Sequence, residues 1–154
     1  MTTATAQPTV GLFVTCLVDL FRPSVGFASI ALLEAAGCRG VVPPSQICCG
    51  QPAYNSGASE TAAQIARRVI AAFEDCDHVV APSGSCAAMI RLHYPTLFPD
   101  DPDMRMRAES MAEKCWELVS FLCDKMKFNS FHKNFDGSVT YHDGCSGLRE
   151  LGVR

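Results

Sequence analysis

The stretch TVGLFVTC, residues 9–16, is a run of apolar and β-branched residues that ends in a cysteine. Such a run predicts a buried β-strand. Helical periodicity follows over residues 20–36, and a second short run, RGVVP at residues 39–43, predicts another strand. Strands that alternate with helices predict an α/β protein with a three-layer, mostly parallel sheet and helices on both faces, a Rossmann-like arrangement.

The same alternation continues along the rest of the chain. A helix is expected over residues 59–76, a third strand at HVVAP (residues 78–82) and a helix from about Ser83. A longer helix is predicted over residues 104–127, and a fourth strand at SVTYHDG, residues 138–144. Ligands of open α/β sheets bind at the carboxyl ends of the strands, so function is expected there.

Composition narrows the class of protein. The chain has 154 residues, is 48% hydrophobic and carries a net charge of -3, as expected for a compact domain with a hydrophobic core. Without a basic stripe, nucleic acid and anionic membranes are not expected partners. No apolar run reaches the ~18 residues of a membrane span, and the first ten residues lack the pattern of a secretory signal. The cytoplasm is therefore the expected compartment, where the nine cysteines would stay reduced.

Five of the cysteines lie within a few residues of the ends of predicted strands, and these are Cys16, Cys48, Cys49, Cys86 and Cys145. We expect them at the carboxyl edge of the sheet. The remaining four, Cys38, Cys76, Cys115 and Cys123, show no such pattern and are interpreted as small buried apolar residues.

Several kinds of site compete for the cysteines at the strand ends. Structural zinc sites usually take their four ligands from closely spaced pairs, which are missing here, so zinc remains a less favoured alternative. A redox C-x-x-C motif is also missing. Iron–sulfur clusters gather thiolates from distant loops, and Cys86 and Cys145 stand at predicted helix N-termini, which favour thiolates. An iron–sulfur cluster is the interpretation that fits best.

His142 and Asp143 lie beside Cys145. They are candidates for tuning a cluster by hydrogen bonding or for carrying a proton. In the alternative interpretation, Asp143 caps the following helix and His142 is a surface residue.

The pattern C-x31-CCG-x35-C, formed by Cys16, Cys48, Cys49 and Cys86, resembles the cysteine-rich CCG domain. That domain occurs in heterodisulfide reductase and in the iron–sulfur subunits of glycolate oxidase and anaerobic glycerol-3-phosphate dehydrogenase. The segments ICCGQPAYNSG, APSGSCAAM and YHDGCSGLRELG are most similar to sequences of the lactate-utilisation protein A family.

The resemblance implies an iron–sulfur electron-transfer subunit, with a 4Fe-4S type cluster, in an oxidoreductase complex that oxidises L-lactate to pyruvate. The implied partners are the other lactate-utilisation subunits. Carried over residue by residue, Cys16, Cys48, Cys49 and Cys86 match the cluster ligands of a first CCG motif. Cys145 matches the first cysteine of a second motif.

Two departures from the family pattern affect the expected site. The closing C-x-x-C is Ser83-Gly-Ser-Cys86 here, so Ser83 replaces one thiolate. A non-cubane cluster that needs five thiolates would lack one ligand, which leaves a four-thiolate cluster or none in the isolated chain. We also expect residues 1–137 to form the first CCG domain and residues 138–154 to begin a truncated second repeat, so that isolated activity is not expected.

Two alternatives for the function stay open at this point. One is an iron–sulfur subunit of a complex that oxidises glycolate or glycerol-3-phosphate. The other is a metal-free or zinc-bearing module that docks partner subunits.

Overall fold

The computed structural model describes residues 7–128, 135–140, 142 and 144–153. Its centre is one parallel sheet, in which the strands lie in the order β2-β1-β3-β4. The strands are β1 (Thr9–Leu12), β2 (Arg39–Val41), β3 (His78–Ala81) and β4 (Cys115–Glu117). The predicted α/β class and the parallel sheet are confirmed.

Helices connect the parallel strands, as neighbouring parallel strands require. They are α1 (Cys16–Phe21), α2 (Pro23–Ala35), α3 (Gln51–Asn55), α4 (Ser59–Ala72), α5 (Gly84–Ala88), α6 (Pro102–Lys114), α7 (Leu118–Ser120) and α8 (Cys145–Arg149). Helix α5 continues through a π-helical turn, Met89–His93, into a 3-10 turn, Tyr94–Leu97, and α7 continues into a second π-helical turn, Phe121–Lys125.

The sheet separates two hydrophobic clusters. Successive strand residues point to opposite faces, so Val79 contributes to one cluster and Val80 to the other. Residues of α4 and α6 cover the first face, while α2 and the Phe121–Lys125 turn cover the second. The predicted helices on both faces, and hence three layers, are confirmed.

A glycine in β1 permits the close packing of the first face. A Cβ atom at Gly11 would lie 2.6 Å from Cδ1 of Phe73 and 2.8 Å from Sγ of Cys76. Both neighbours are buried, so they have little room to move. The strand therefore needs a residue without a side chain at this position, although glycine weakens strands in general.

The predicted long helix over residues 104–127 is wrong, because β4 interrupts it. Helix α6 ends at Lys114, whose Nζ donates hydrogen bonds of 2.9–3.0 Å to the carbonyl oxygens of Phe73, Glu74 and Cys76. The chain then extends, and Cys115 pairs with Val79 at the edge of β3. Pairing with an open sheet edge overrides the helical periodicity here, and a strand of three residues is too short to show alternation.

The predicted fourth strand at residues 138–144 is not found. Residues 138–140, 142 and 144 are in no strand, and Tyr141 and Asp143 lie outside the described residues. The sheet position after β3 belongs to β4 instead. Cys145 therefore follows no strand of this sheet; it begins α8, which packs against α5 so closely that a Cβ at Gly84 would lie 2.9 Å from Cα of Gly147.

None of the helices in the described segments combines the length and apolar character that crossing a bilayer requires.

Candidate metal centre

Four cysteines converge at the carboxyl edge of the sheet. Cys16 is the first residue of α1, directly after β1, and Cys86 lies in α5, directly after β3. Cys48 and Cys49 occupy the loop between β2 and α3. Three consecutive strands of the sheet order thus each deliver at least one thiol to the same edge, as the sequence predicts.

Cys49 and Cys86 form the buried half of this group. Their sulfur atoms lie 3.5 Å apart, and the two residues are only 3% and 8% exposed. The pKa of Cys86 is lowered to about 7, above all because Cys49 donates a hydrogen bond to its sulfur; the hydroxyls of Ser83 and Ser85 add to this, while burial opposes it. The same thiol–thiol hydrogen bond, followed by burial, raises the pKa of Cys49. Cys86 is therefore the favoured thiolate of the pair.

Cys16 and Cys48 form the solvent side of the group. Cys16 is exposed and Cys48 is half-buried. The pKa of Cys16 is raised by partial burial, then by the charge of Cys48 and a hydrogen bond with it, and then by the charge of Cys86. These couplings place Cys16 within interaction range of two of the other three thiols. A negative charge on one sulfur disfavours deprotonation of a neighbouring sulfur. All four thiols would therefore be deprotonated only when they bind a cationic metal group.

Backbone turns aim the two outer loops at this edge. Thr15 adopts a φ of 73°, unusual for a residue with a side chain, and its Oγ1 accepts a 3.4 Å hydrogen bond from the Val18 amide. This cap starts α1 at Cys16. Gly50 has a φ of 84°, and a Cβ there would lie 3.2 Å from Cγ2 of Ile65. The glycine after the adjacent cysteines is thus required by both its φ value and its packing.

Sequence reasoning missed three residues that support the group. The side chain of Gln46 accepts a 2.9 Å hydrogen bond from the Val14 amide, just beyond the end of β1. The buried hydroxyl of Tyr94 donates to the carbonyl oxygen of Cys49 at 2.9 Å. The hydroxyl of Ser85, like that of Ser83, contributes a hydrogen bond to Cys86. The sequence could have indicated Ser85, because it is adjacent to Cys86. The contacts of Gln46 and Tyr94 join residues that are distant in the sequence, so only the folded structure shows them.

The additional candidates lie in a neighbouring cavity. Ser83, His142 and Cys145 line a space of about 620 Å³ that also receives the buried carboxylate of Glu117. Cys145 and His142 are exposed. Asp143 lies outside the described residues. Cys145 therefore lies at this neighbouring cavity, at the N-terminus of α8.

The other four cysteines divide differently from the prediction. Cys38, Cys76 and Cys115 are buried, as expected, and burial raises the pKa of Cys115 to about 12. Cys123 is exposed, so its interpretation as a buried apolar residue is wrong.

The donor set is suited to a soft metal group. It consists of thiols, the ligands of iron–sulfur clusters and of thiolate-bound metal ions. Within the described ranges, no three His, Cys, Asp or Glu side chains are grouped so that they could hold a single metal ion. Two of the thiols, Cys16 and Cys48, line a cavity of about 400 Å³ together with Asp19 and Gln46. Thiols that reach one edge from separate loops match the way in which iron–sulfur clusters gather their ligands.

Comparison with known proteins supports the resemblance. The family profile described as "Cysteine-rich domain", CCG, matches residues 10–91, more than half of the chain. The match includes all four converging cysteines. No solved structure matches the chain significantly.

Curated relatives extend the similarity over nearly the whole chain. Lactate utilization protein A of Bacillus cytotoxicus is 46% identical over 145 residues, which cover 94% of this chain and 60% of the relative. The proteins of the same name from Geobacillus kaustophilus and Bacillus cereus (strain G9842) are 47% and 45% identical over the same shares. The chain thus spans about 60% of the length of these relatives. On the profile match and the converging cysteines together, the chain belongs to the cysteine-rich CCG domain family.

Proposed function

We propose that this chain holds an iron–sulfur cluster of the 4Fe-4S type through Cys16, Cys48, Cys49 and Cys86. Its proposed role is electron transfer in an oxidoreductase complex that converts L-lactate to pyruvate. The observation that carries the proposal is the convergence of four thiols from three strand ends, with the sulfur atoms of Cys49 and Cys86 3.5 Å apart.

The arrangement of the thiols favours a cluster over a single ion. Adjacent side chains such as Cys48 and Cys49 diverge, so they suit different metal atoms of one inorganic core better than one tetrahedral ion. The pKa of Cys86 is lowered to about 7, so this ligand loses its proton more readily at neutral pH than an ordinary thiol. When bound, the cluster would supply one-electron transfer.

The protein residues would control access to the bound group. Cys49 and Cys86 are buried on the core side, where Tyr94 is fully buried behind them. Cys16 is exposed on the opposite side. This asymmetry keeps water from one side of the group and leaves the Cys16 side for exchange of electrons with a partner.

Substrate and partners are proposed from the relatives. The curated relatives carry the name Lactate utilization protein A, and L-lactate oxidation releases electrons that need an acceptor. We propose the other lactate-utilisation subunits as partners and the cytoplasm as the compartment. An iron–sulfur subunit for glycolate or glycerol-3-phosphate oxidation is the alternative within redox enzymes.

The domain division is also part of the proposal. Residues 1–137 would form the first CCG domain, and residues 138–154 would begin a second repeat. The supporting likeness is that Cys16 and Cys145 are each the first residue of a short helix. Cys145, His142 and Asp143 would then belong to the second repeat, while Ser83 stays with the first motif, where it stands in place of a closing thiolate.

A docking module is the second candidate function, and one surface favours it. Leu17, Leu20 and Phe21 of α1 are 67%, 72% and 73% exposed, and α1 has no buried residue. An exposed apolar helix beside the thiols suits subunit contact whether or not metal is bound.

Growth on L-lactate tests the proposed role in the cell. The gene would be deleted in its host and complemented with the complete coding sequence carrying either Cys49→Ser or the matched change at exposed Cys123. We expect the Cys123→Ser gene to restore growth on L-lactate and the Cys49→Ser gene to fail, with both proteins present at equal levels. Growth restored by Cys49→Ser would contradict the cluster role, and a deletion defect on glycolate or glycerol instead would favour the alternative substrates.

A further inference from the structure

We infer that Gln46 is the positioning residue that fixes the loop of Cys48 and Cys49 against the strand leading to Cys16. The inference rests on the proposed function, because it names the residue that sets the geometry of the same four-thiol group.

The side chain of Gln46 extends the sheet where a strand ends. The last residue of β2, Val41, is paired with Gly11 of β1, so the next backbone groups of β1 on that side have no strand opposite them. Gln46 Oε1 accepts from the Val14 amide at 2.9 Å, and its Nε2 donates to the Leu12 carbonyl oxygen at 3.3 Å. On the other side, the Phe13 amide donates to the Val80 carbonyl oxygen at 2.8 Å. A primary amide carries the same donor and acceptor as a peptide group, so Gln46 takes the place of the missing β2 residue.

This contact joins the two cysteine-bearing segments at matching positions. Val14 lies two residues before Cys16, and Gln46 lies two residues before Cys48. Apart from the thiol contact between Cys16 and Cys48, no other hydrogen bond in the described part of the chain links residues 12–16 to residues 42–50. Gln46 therefore determines how far apart the two segments stand.

Packing holds this loop on its core side only, where Ile47 and Cys48 lie against the first hydrophobic cluster. Gln46 is half-buried and lines the cavity of about 400 Å³ between the two segments, together with Cys16 and Cys48. The loop is otherwise held from the core side, where Tyr94 donates to the Cys49 carbonyl oxygen. Loss of the Gln46 amide would thus release the segment that leads to Cys16 from the loop of Cys48, while the buried pair stays in place.

Two substitutions separate the effect of the Gln46 hydrogen bonds from the effect of its side-chain volume. Gln46→Met keeps the side-chain volume and removes both hydrogen bonds. Gln46→Glu keeps the acceptor for the Val14 amide but removes the donor and places a carboxylate oxygen against the Leu12 carbonyl. The matched control is Gln64→Met, the same change on an exposed position of α4.

The first test measures thiol proximity without metal. In a Cys49→Ser/Cys86→Ser background, diamide would accept two hydrogens from Cys16 and Cys48 as their disulfide forms, and peptide mapping would follow the rate. We expect Gln46→Met and Gln46→Glu to slow this cross-link about tenfold, which corresponds to the loss of one hydrogen bond worth about 1.4 kcal/mol. The Gln64→Met control should react at the parent rate. An unchanged rate in a folded Gln46 variant would overturn the inference, and Gln46→Glu decides the question should Gln46→Met fail to fold.

The second test uses the chain reconstituted with iron and sulfide, with its native cysteines. We expect the Gln46 variants to lose iron to a chelator about 10- to 100-fold faster than the native sequence, with an altered EPR signal and unchanged far-UV circular dichroism. Equal loss rates would overturn the inference. Failure of the native sequence itself to take up iron would overturn the proposed function instead, and the diamide rates would still decide the role of Gln46.

Discussion

The sulfur of Cys49 lies 3.5 Å from the sulfur of Cys86, although the two residues are 37 positions apart in the chain. The contact joins the loop after β2 to the helix after β3, across the end of β1, which lies between those strands in the sheet. It is buried, and it makes Cys86 the more acidic thiol of the pair. The fold thus brings two thiols into contact at the carboxyl edge of the sheet without the help of a metal.

The first prediction is that oxidation of the metal-free chain links Cys49 to Cys86. Their sulfur atoms are in contact, and a disulfide needs a separation of about 2.05 Å, so a small movement is enough. Diamide would remove one hydrogen from each thiol, and mass spectrometry of peptides would identify the link. We expect Cys115 to stay reduced, because it is fully buried and its pKa is raised to about 12. A link between any other cysteine and Cys49 as the main product would contradict the contact.

The second prediction concerns the hydroxyl of Tyr94. Tyr94→Phe leaves the buried carbonyl of Cys49 without its 2.9 Å hydrogen bond, so we expect the free energy of unfolding to fall by about 1–3 kcal/mol. Urea unfolding of the metal-free protein would measure the change.

Tyr54→Phe is the matched control for this substitution. The Tyr54 ring stacks on His93, and its hydroxyl makes no hydrogen bond with residues that the structure describes. We expect a change of less than about 0.5 kcal/mol, which is usual for substitutions away from buried networks. An equal loss of unfolding free energy in both variants would contradict a stabilising role for the hydrogen bond to the Cys49 carbonyl.

The third prediction is a pH dependence that originates at His78. Burial lowers the pKa of His78 below its ordinary value of 6.5, the positive charges of Lys125 and Lys114 lower it further, and Asp77 opposes them. The unfolded chain therefore takes up the proton first, so this residue contributes stability above pH 6.5 that is lost as pH falls toward the lower folded value.

The measurement is urea unfolding at several pH values between about 5.5 and 7.5, spanning the ordinary histidine range. His78→Phe should lose less stability on acidification than the native sequence, because phenylalanine cannot take up a proton. Parallel stability curves for the two proteins would contradict a lowered pKa at His78.

The sequence was sufficient to predict the first three strands and the four converging cysteines. Strands β1 and β3 are apolar runs that are largely buried, β2 is a short and partly exposed run at the sheet edge, and residues that follow parallel strands must meet at one edge. Both inferences depend only on local pattern and on topology. Cys16, Cys48, Cys49 and Cys86 therefore lie where they were expected.

The remaining features depend on contacts that a local pattern does not carry. Strand β4 has three residues and continues a helical periodicity, so only its pairing with β3 reveals it. Tyr94 reaches a carbonyl 45 positions away, and Gln46 reaches a strand 32 positions away. The sequence also placed a strand at residues 138–144, whereas the position next to β3 is taken by β4.

The most direct test of the central claim is the content of iron and acid-labile sulfide in the purified chain after anaerobic reconstitution, with EPR of the reduced protein. We predict stoichiometric iron with sulfide and a cluster signal in the native sequence and in Cys123→Ser, whose exposed sulfur lies outside the group. The double variant Cys48→Ser/Cys49→Ser should lose both the metal and the signal. Stoichiometric zinc without sulfide, or no metal in the native chain under these conditions, would contradict the account.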